Sequence, residues 1–385
     1  MQKIKAAVVT PGTFFIPSGR SSSVERVVEQ MIPRVPEGFD IRIYGLQEPD
    51  HPVIGSLDGG IQVYRLPGGA RYASGIIRSL KEWKPRIIDV QNRPFLASRI
   101  KQAIPDAKVV IFIHSLTYIS PPHADHRNAE RILQSVDRIV VNSVYLEKEL
   151  GARYPNLKNK ISVNPLGVNL PDFIPRYNPH SEALRESKLM DRGWQGRRIV
   201  MYAGRLLPIK GVHHVLTALP KLIQAVPDVM LLIVGSPFYG SSRRTPYEAH
   251  LHDLAEPYLN HVTFIPFIAH PAISYWYHLA DIVVVPSAEG EAFGLVNVEA
   301  MASAVPVVAS DAGGIPEIVE DGVSGVLLPQ VSLDSELAPE LIRLLSDEQL
   351  RRSLGQAGRL RVAQSFQWKH TAERWHEMMQ KLVLQ

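Results

Sequence analysis

The chain contains no cysteine among its 385 residues. Disulfide bonds, a catalytic thiolate and cysteine zinc sites are therefore excluded, and a reducing compartment is compatible with the composition. No apolar run approaches the ~20 residues that span a bilayer. Residues 1–10 combine a strand-like pattern with lysines and do not resemble a secretory signal peptide. We therefore expect a cytoplasmic protein with no transmembrane segment, whose contact with any surface is peripheral.

Neither sign of charge predominates in the sequence. The 42 basic and 38 acidic residues leave a net charge of +4, and no block of five or more basic residues occurs. We therefore expect no nucleic-acid partner, whereas a mild positive bias suits an anionic small molecule. With 45% hydrophobic and 21% charged residues, the composition is that of a globular enzyme. The length exceeds that of one ordinary domain and favours two.

Short β-branched runs alternate with stretches of helical period. The predicted strands are residues 4–9, 86–90, 108–113, 138–141, 198–203, 229–234, 262–265, 282–285 and 305–309. Nearly continuous apolar runs are typical of parallel strands covered on both faces. Two successive series of this kind predict an α/β protein with two Rossmann-like parallel-sheet domains. We place the domains at residues 1–168 and 169–368, and we expect the helix at 369–385 to pack back on the first domain.

Two glutamates frame the strongest local feature, residues 291–299. Glu291 lies in the loop after the strand at 282–285, and the helix that follows carries Glu299 about two turns in. The amides of Phe293, Gly294 and Leu295 then lie at a helix N-terminus, where they favour an anion. Alternatively, Glu291 only improves the helix start and Glu299 is a solvated surface acid.

A glycine-bounded turn, residues 204–211, follows the strand at 198–203. It contains Arg205 and Lys210. Open α/β sheets bind ligands at the carboxyl ends of their strands, and these two cations suit a diphosphate. The alternative is an ordinary turn with two surface cations.

Together these segments resemble the GT4 family of glycosyltransferases, which have the GT-B fold of two Rossmann-like domains facing across a cleft. The matching residues are Gly204, Arg205, Lys210 and Gly211, the E-x7-E element at 291–299, and the segments 299–302, 306–309 and 313–319. The resemblance is dense from residue 199 to 328 and patchier over the first half. That half also looks somewhat like glycosyltransferase-type proteins of bacterial spore coats, so association with a spore coat or a membrane surface is a further expectation.

The resemblance implies a hexose-type transfer with retention of configuration from a nucleotide diphosphate sugar, with a UDP-sugar as the favoured donor. It implies that Arg205 and Lys210 hold the diphosphate, that Glu291 contacts the donor sugar and that Glu299 binds the ribose. The amides of Phe293, Gly294 and Leu295 complete this donor site. The donor is a substrate, and no cofactor is expected. The acceptor, whether carbohydrate, lipid-linked or a small molecule, is left open.

His114 is the catalytic candidate of the first half. It ends the predicted strand at 108–113, where a family histidine contacts the donor sugar. The alternative is a histidine that merely packs at a strand end.

Two features of the sequence bear on how a phosphate is held. Many family members have a Gly-Gly pair before the first helix, whereas this chain has Ser21 and Ser22 in the sequence GRSSSVE. These serines can contact a phosphate or simply cap the helix. Metal-using glycosyltransferases carry Asp-x-Asp, and no such pair occurs here. We therefore expect no metal site and a transfer that does not depend on a metal ion.

Two rival functions use the same architecture. A sugar-nucleotide 2-epimerase needs no acceptor, and a structural spore-coat protein needs no chemistry. The presence of Arg205, Lys210, Glu291 and Glu299 together argues against a purely structural chain.

Overall fold

The structure is a computed structural model that describes residues 3–17, 23–238, 243–288 and 290–385. The chain divides into two compact units. Unit 1 comprises Met1–Leu166 together with Trp368–Gln385, and unit 2 comprises Gly167–Gln367. Each unit is built around its own sheet, as two separate βαβ series predict.

The sheet of unit 1 has eight strands in the order β3-β4-β2-β1-β5-β6-β7-β8. Only β3 runs antiparallel to its neighbour. The strands are β1 (Ile4–Val9), β2 (Phe39–Leu46), β3 (Ile54–Ser56), β4 (Gln62–Leu66), β5 (Ile87–Gln91), β6 (Lys108–Ile113), β7 (Arg138–Val141) and β8 (Ile161–Val163). The central strands β1, β5 and β6 are buried almost throughout, which explains their continuous apolar sequences.

Helices cover this sheet. They are α1 (Ser23–Met31), α2 (Ala70–Trp83), α3 (Pro94–Ala103), α4 (His126–Ser135), α5 (Val144–Arg153) and α14 (Trp368–Leu384). The last of these comes from the far end of the chain. Its Trp375 is fully buried and meets the ring of Phe39 edge-on at 5.4 Å. The amide of Asn164 donates to the carbonyl of Thr371 at 3.1 Å, so apolar and polar contacts both hold α14 in unit 1.

The sheet of unit 2 has six parallel strands in the order β11-β10-β9-β12-β13-β14. The strands are β9 (Arg198–Ala203), β10 (Val229–Val234), β11 (Val262–Ile265), β12 (Ile282–Val285), β13 (Val307–Ser310) and β14 (Val326–Leu328). The helices are α6 (Pro179–Met190), α7 (Val212–Ala225), α8 (Pro246–Ala255), α9 (Ile273–Leu279), α10 (Leu295–Ala302), α11 (Ile315–Ile318), α12 (Leu333–Ser346) and α13 (Glu348–Ser365). One hydrophobic core joins β9, β10 and β12 to α7 and α12.

Two predicted strands are displaced along the chain. The strand predicted at 305–309 begins at Val307, because Pro306 has no N–H to donate to the ladder. The strand predicted at 86–90 is found as Ile87–Gln91, since Gln91 still pairs with Phe112.

None of the helices in the described residues combines the length and the apolar character that crossing a bilayer requires.

Candidate active site

The candidate site of unit 2 is formed by two loops that follow neighbouring strands. The turn with Arg205 and Lys210 follows β9, the loop with Glu291 follows β12, and these strands pair in parallel. The carboxyl ends of paired parallel strands lie at the same edge of the sheet. The two loops therefore touch, and the amide of Ala288 donates to the carbonyl of Ile209 at 2.8 Å.

Gly211 makes this close approach possible. Its φ of +70° lies in the left-handed region, and a Cβ at this position would stand 1.9 Å from the carbonyl oxygen of Pro286. Only glycine fits both constraints. The backbone of the cationic turn therefore packs directly on the loop that carries the acid.

Lys210 and Glu291 form an ion pair in this edge. The Lys210 ammonium donates to Oε2 of Glu291, and the Ser287 hydroxyl donates to the same oxygen at 3.0 Å. Burial raises the pKa of the Glu291 carboxyl, but Lys210, Ser287 and Arg205 together outweigh it and bring the pKa below its ordinary value. Glu291 is therefore an ionised acceptor at neutral pH.

Arg205 provides the second positive charge. Its side chain is exposed, and it forms no side-chain hydrogen bond or ion pair with any residue that the structure describes. Its carbonyl accepts from the Tyr202 hydroxyl at 2.8 Å, which fixes the backbone of the turn. The guanidinium is thus free to meet an anion.

The start of α10 lies in the same loop. Gly294 has a φ of +91° and precedes the helix at Leu295. Within the described chain, the amides of Phe293, Gly294 and Leu295 have no hydrogen-bond acceptor. Backbone N–H groups without an acceptor at a helix N-terminus favour an anion. These three amides are therefore placed where an anionic ligand can bind.

Gly313 and Gly314 contact the backbone of the loop before α10 and hold it in place. The Gly314 amide donates to the carbonyl of Glu291 at 2.9 Å. A Cβ on Gly313, where φ is +56°, would stand 2.0 Å from that same carbonyl oxygen. The contact leaves no room for a side chain and holds the Glu291 backbone in one position.

Glu299 is the fifth residue of α10, so it lies little more than one turn into the helix and not about two turns as predicted, because the helix begins only at Leu295. It is 5% exposed and therefore not a solvated surface acid. The Tyr277 hydroxyl donates to its Oε2 at 2.8 Å, and Nε2 of His270 lies 3.0 Å from its Oε1. Both oxygens are held in fixed positions by neighbouring side chains.

His114 follows β6 in unit 1. Its ring Nε2 lies 2.9 Å from Oε1 of Gln91, and the ring stacks on Phe112 at 4.3 Å. Its backbone amide donates to Oδ1 of Asn92 at 3.3 Å, and its carbonyl accepts from Asn142 at 3.4 Å. Burial lowers the pKa of His114 to about 3, so the imidazole is neutral at physiological pH.

Ser21 and Ser22, the two serines predicted to contact phosphate or to cap the first helix, lie outside the described residues. The helix itself is present as α1, and its residues Val24, Val27 and Val28 are buried. The function of the serines stays a prediction.

Several residues of both edges were not predicted, namely Ser287, Tyr277, His270, Gln91 and Asn142. Ser287 could have been found, because it follows a predicted strand directly. Tyr277 lies on α9 and His270 precedes it. Neither belongs to a pattern that points to a ligand, and only the fold brings them to Glu299.

Among the described residues, no group of three or more histidine or carboxylate side chains is placed to share a metal ion. The metal independence of the reaction stays a prediction.

Two family models match the chain in consecutive segments. "Glycosyltransferase Family 4" matches residues 24–171, and "Glycosyl transferases group 1" matches residues 187–361. The chain is 29% identical to spore coat protein SA of Bacillus subtilis over 96% of this chain and 97% of that protein. It is 30% identical to the D-inositol 3-phosphate glycosyltransferase of Jonesia denitrificans over 81% of this chain and 76% of that protein.

A solved structure agrees with these relatives. The Anabaena protein HepE in complex with UDP-glucose superposes with a TM-score of 0.78, covering 98% of this chain and 100% of that one at 20% identity. The two parallel-sheet units therefore have the GT-B fold, as the sequence predicts. The chain belongs to the GT4 family of glycosyltransferases.

Proposed function

We propose that this glycosyltransferase moves a hexose-type sugar from a nucleotide diphosphate donor to a hydroxyl acceptor, with retention of configuration and without a metal ion. The supporting observation is the joint placement of Lys210, Ser287 and Glu291 beside exposed Arg205 and the free amides before α10. A UDP-sugar is the favoured donor, since a protein of the same fold holds UDP-glucose. A carbohydrate, a lipid-linked sugar or a small molecule could be the acceptor.

The charges divide the work on the donor. Arg205 offers a forked set of donors to the diphosphate, and the Lys210 ammonium has three N–H groups, enough for both Glu291 and a phosphate oxygen. Ionised Glu291 accepts hydrogen bonds from hydroxyls of the donor sugar. Glu299 already accepts from Tyr277, and Nε2 of His270 lies 3.0 Å from its other oxygen. A carboxylate has about four lone-pair sites, so we assign the ribose hydroxyls to Glu299 as well.

The reaction breaks the bond between the anomeric carbon and the diphosphate oxygen and forms one from that carbon to the acceptor oxygen. The acceptor proton moves to the leaving diphosphate, whose developing charge Arg205 and Lys210 offset. Departure and attack on the same face of the sugar retain the configuration. His114 contacts the donor sugar as a neutral hydrogen-bonding group.

The nucleotide site is tested by thermal unfolding with UDP, GDP, ADP and dTDP in turn. A ligand at 100 times its dissociation constant stabilises the folded state by ~2.7 kcal/mol. We expect UDP to give the largest rise in Tm, and we expect Lys210→Ala or Arg205→Ala to remove most of it. Lys221→Ala is the matched control, because Lys221 is exposed on α7 of the same unit. A full UDP response in both site variants would show that the nucleotide binds elsewhere.

Metal independence and stereochemistry need separate assays. Hydrolysis of the donor in the presence of EDTA should persist, and a complete loss that magnesium restores would contradict the proposal. Proton NMR of the first product should show the anomeric configuration of the donor.

A structural role in a spore coat is the second candidate, because the chain aligns with spore coat protein SA over nearly its whole length. A purely structural chain should bind none of the four nucleotides. A sugar-nucleotide 2-epimerase would instead convert the donor to an epimer when no acceptor is present.

A further inference from the structure

Four buried side chains of unit 1 form one hydrogen-bonded series. The indole Nε1 of Trp375 donates to Oδ2 of Asp89 at 2.7 Å, and Nε2 of Gln91 donates to the same oxygen at 2.9 Å. Oε1 of Gln91 then lies 2.9 Å from Nε2 of His114. The series runs from the C-terminal helix α14, through the end of β5, to the residue after β6.

When Oδ2 of Asp89 carries no proton, the donors and acceptors of this series fit only one arrangement. An indole N–H can only donate, so Oδ2 of Asp89 must accept. The Gln91 amide then presents its N–H to Oδ2, because its carbonyl would face an acceptor there. The carbonyl oxygen of Gln91 therefore faces His114. Because this oxygen can only accept, Nε2 of the imidazole must carry the proton and donate it. A neutral imidazole with the proton on Nε2 has its lone pair on Nδ1.

The rest of the His114 environment keeps the ring in place. Phe112 stacks on one face, and Asn92 and Asn142 hold the backbone on both sides of the residue. Within the described residues, Nδ1 has no hydrogen-bond partner. Because burial keeps the ring neutral, Nδ1 can accept a hydrogen bond from a hydroxyl group.

We propose that Trp375, Asp89 and Gln91 are positioning residues that fix His114 as the Nε2–H tautomer, so that Nδ1 accepts a hydrogen bond from a hydroxyl of the bound sugar. The identity of the ligand rests on the proposed function, whereas the tautomer does not. The proposal gives the C-terminal helix a part in recognition, through the indole of Trp375.

The tautomer is measured directly by ¹⁵N NMR of the imidazole nitrogens in the full chain, because protonated and unprotonated ring nitrogens resonate far apart. Among the 14 histidines, the His114 signals are those that disappear in His114→Gln. We expect the proton on Nε2 and an unprotonated Nδ1. A proton on Nδ1 in the unmodified protein would overturn the proposal, whatever the activity.

Variants test the series link by link. Gln91→Met keeps the size of the side chain but removes the acceptor, so His114 should become a mixture of tautomers. Asp89→Asn can still offer an amide oxygen to both Trp375 and Gln91, so the Nε2–H tautomer should return as in the unmodified protein. If Gln91→Met leaves a single Nε2–H tautomer, the series does not set the proton position and the proposal fails.

Transfer kinetics separate this proposal from the proposed function. Gln91→Met should lower kcat/KM for the sugar donor about tenfold, the effect of one lost hydrogen bond to the ligand, while Gln134→Met, an exposed glutamine of α4, should change nothing. UDP affinity should stay the same in Gln91→Met, since the nucleotide is assigned to unit 2. If His114→Gln transfers sugar at the full rate while the tautomer is as expected, the function of His114 is wrong and the tautomer assignment stands.

Discussion

The carboxyl edges of the two sheets differ in the kind of polarity that they present. In unit 2 the edge carries full charges, with Lys210 paired to Glu291 and Arg205 exposed beside them. In unit 1 neutral amides surround an uncharged imidazole, His114, held by Gln91, and the charged side chain beside them, Arg93, donates to Thr13 at 2.8 Å and has no carboxylate partner among the described residues. Both edges are formed by the carboxyl ends of parallel strands, so the residues at and after the strand ends produce the difference.

This contrast indicates that the two edges are suited to different kinds of chemical group. Paired charges at a helix start are suited to a phosphate, because forked donors and free amides meet a fixed anion. Neutral amides and an imidazole lone pair are suited to hydroxyls, which both donate and accept hydrogen bonds.

The charged edge of unit 2 depends most strongly on the close contact between Gly211 and Pro286. Replacing Gly211 with alanine places a Cβ 1.9 Å from the Pro286 carbonyl oxygen at a φ of +70°. The strained φ costs about 1–2 kcal/mol, and displacement of the loop should bring the total to about 5 kcal/mol, in the exceptional range. Urea unfolding measures this loss, and UDP binding should be lost with it.

Gly322→Ala is the matched control. Gly322 has the same φ of +70°, but nothing lies within 4 Å of its Cβ position. Only the conformational cost of about 1–2 kcal/mol should remain. Equal losses in the two variants would mean that the contact between the loops does not constrain the site.

Asp89 of unit 1 responds to pH in the opposite sense to Glu291, whose lowered pKa gives stability that is lost as the pH falls. Burial raises the pKa of Asp89 from 3.8 to about 7, against the opposing effect of its hydrogen bonds from Trp375 and Gln91. A carboxyl with a raised pKa in the folded state contributes stability that is complete below pH 3.8 and is lost as the pH rises through 7. The difference corresponds to roughly 4 kcal/mol at 1.36 kcal/mol per pH unit.

Comparing Asp89→Asn with the unmodified protein by urea unfolding at pH 4 and pH 7.5 isolates this effect. The variant should gain relative stability as the pH rises, since an amide does not ionise. His114 has a lowered pKa, and its contribution is lost as the pH falls from 6.5 towards 3, but this change is common to both proteins. A constant difference between them at the two pH values would show that Asp89 titrates normally.

How much the sequence predicted differs between the same two edges. The turn with Lys210 and the loop with Glu291 were located correctly relative to β9 and β12, because each follows a continuous apolar run. Strands such as β2 and β4 were missed, since their buried and exposed residues alternate towards the edge of the sheet. The series from Trp375 to His114 could not be predicted, because it joins residues 286 positions apart that share no local pattern.

The smallest effect should separate Glu299 from the rest of the charged edge. Tyr277→Phe removes the hydroxyl that donates to Oε2 of Glu299 at 2.8 Å. Because this hydrogen bond is internal to unit 2, its loss acts on UDP only through the orientation of Glu299. UDP should bind up to about tenfold more weakly in calorimetry, the effect of one misplaced hydrogen bond to the ligand. Because the proposed contact of Glu299 is with the ribose and not with the reacting carbon, KM for the donor should rise while kcat changes little. Tyr275→Phe on the same helix loses a hydroxyl that accepts from Arg192 at 3.0 Å and, among the described residues, has no other hydrogen-bond partner. This variant should bind UDP normally. If both variants bind UDP equally well, either His270 alone is enough to hold Glu299 or Glu299 does not contact the nucleotide. Glu299→Gln distinguishes these explanations, because it should weaken UDP binding only if Glu299 contacts the nucleotide.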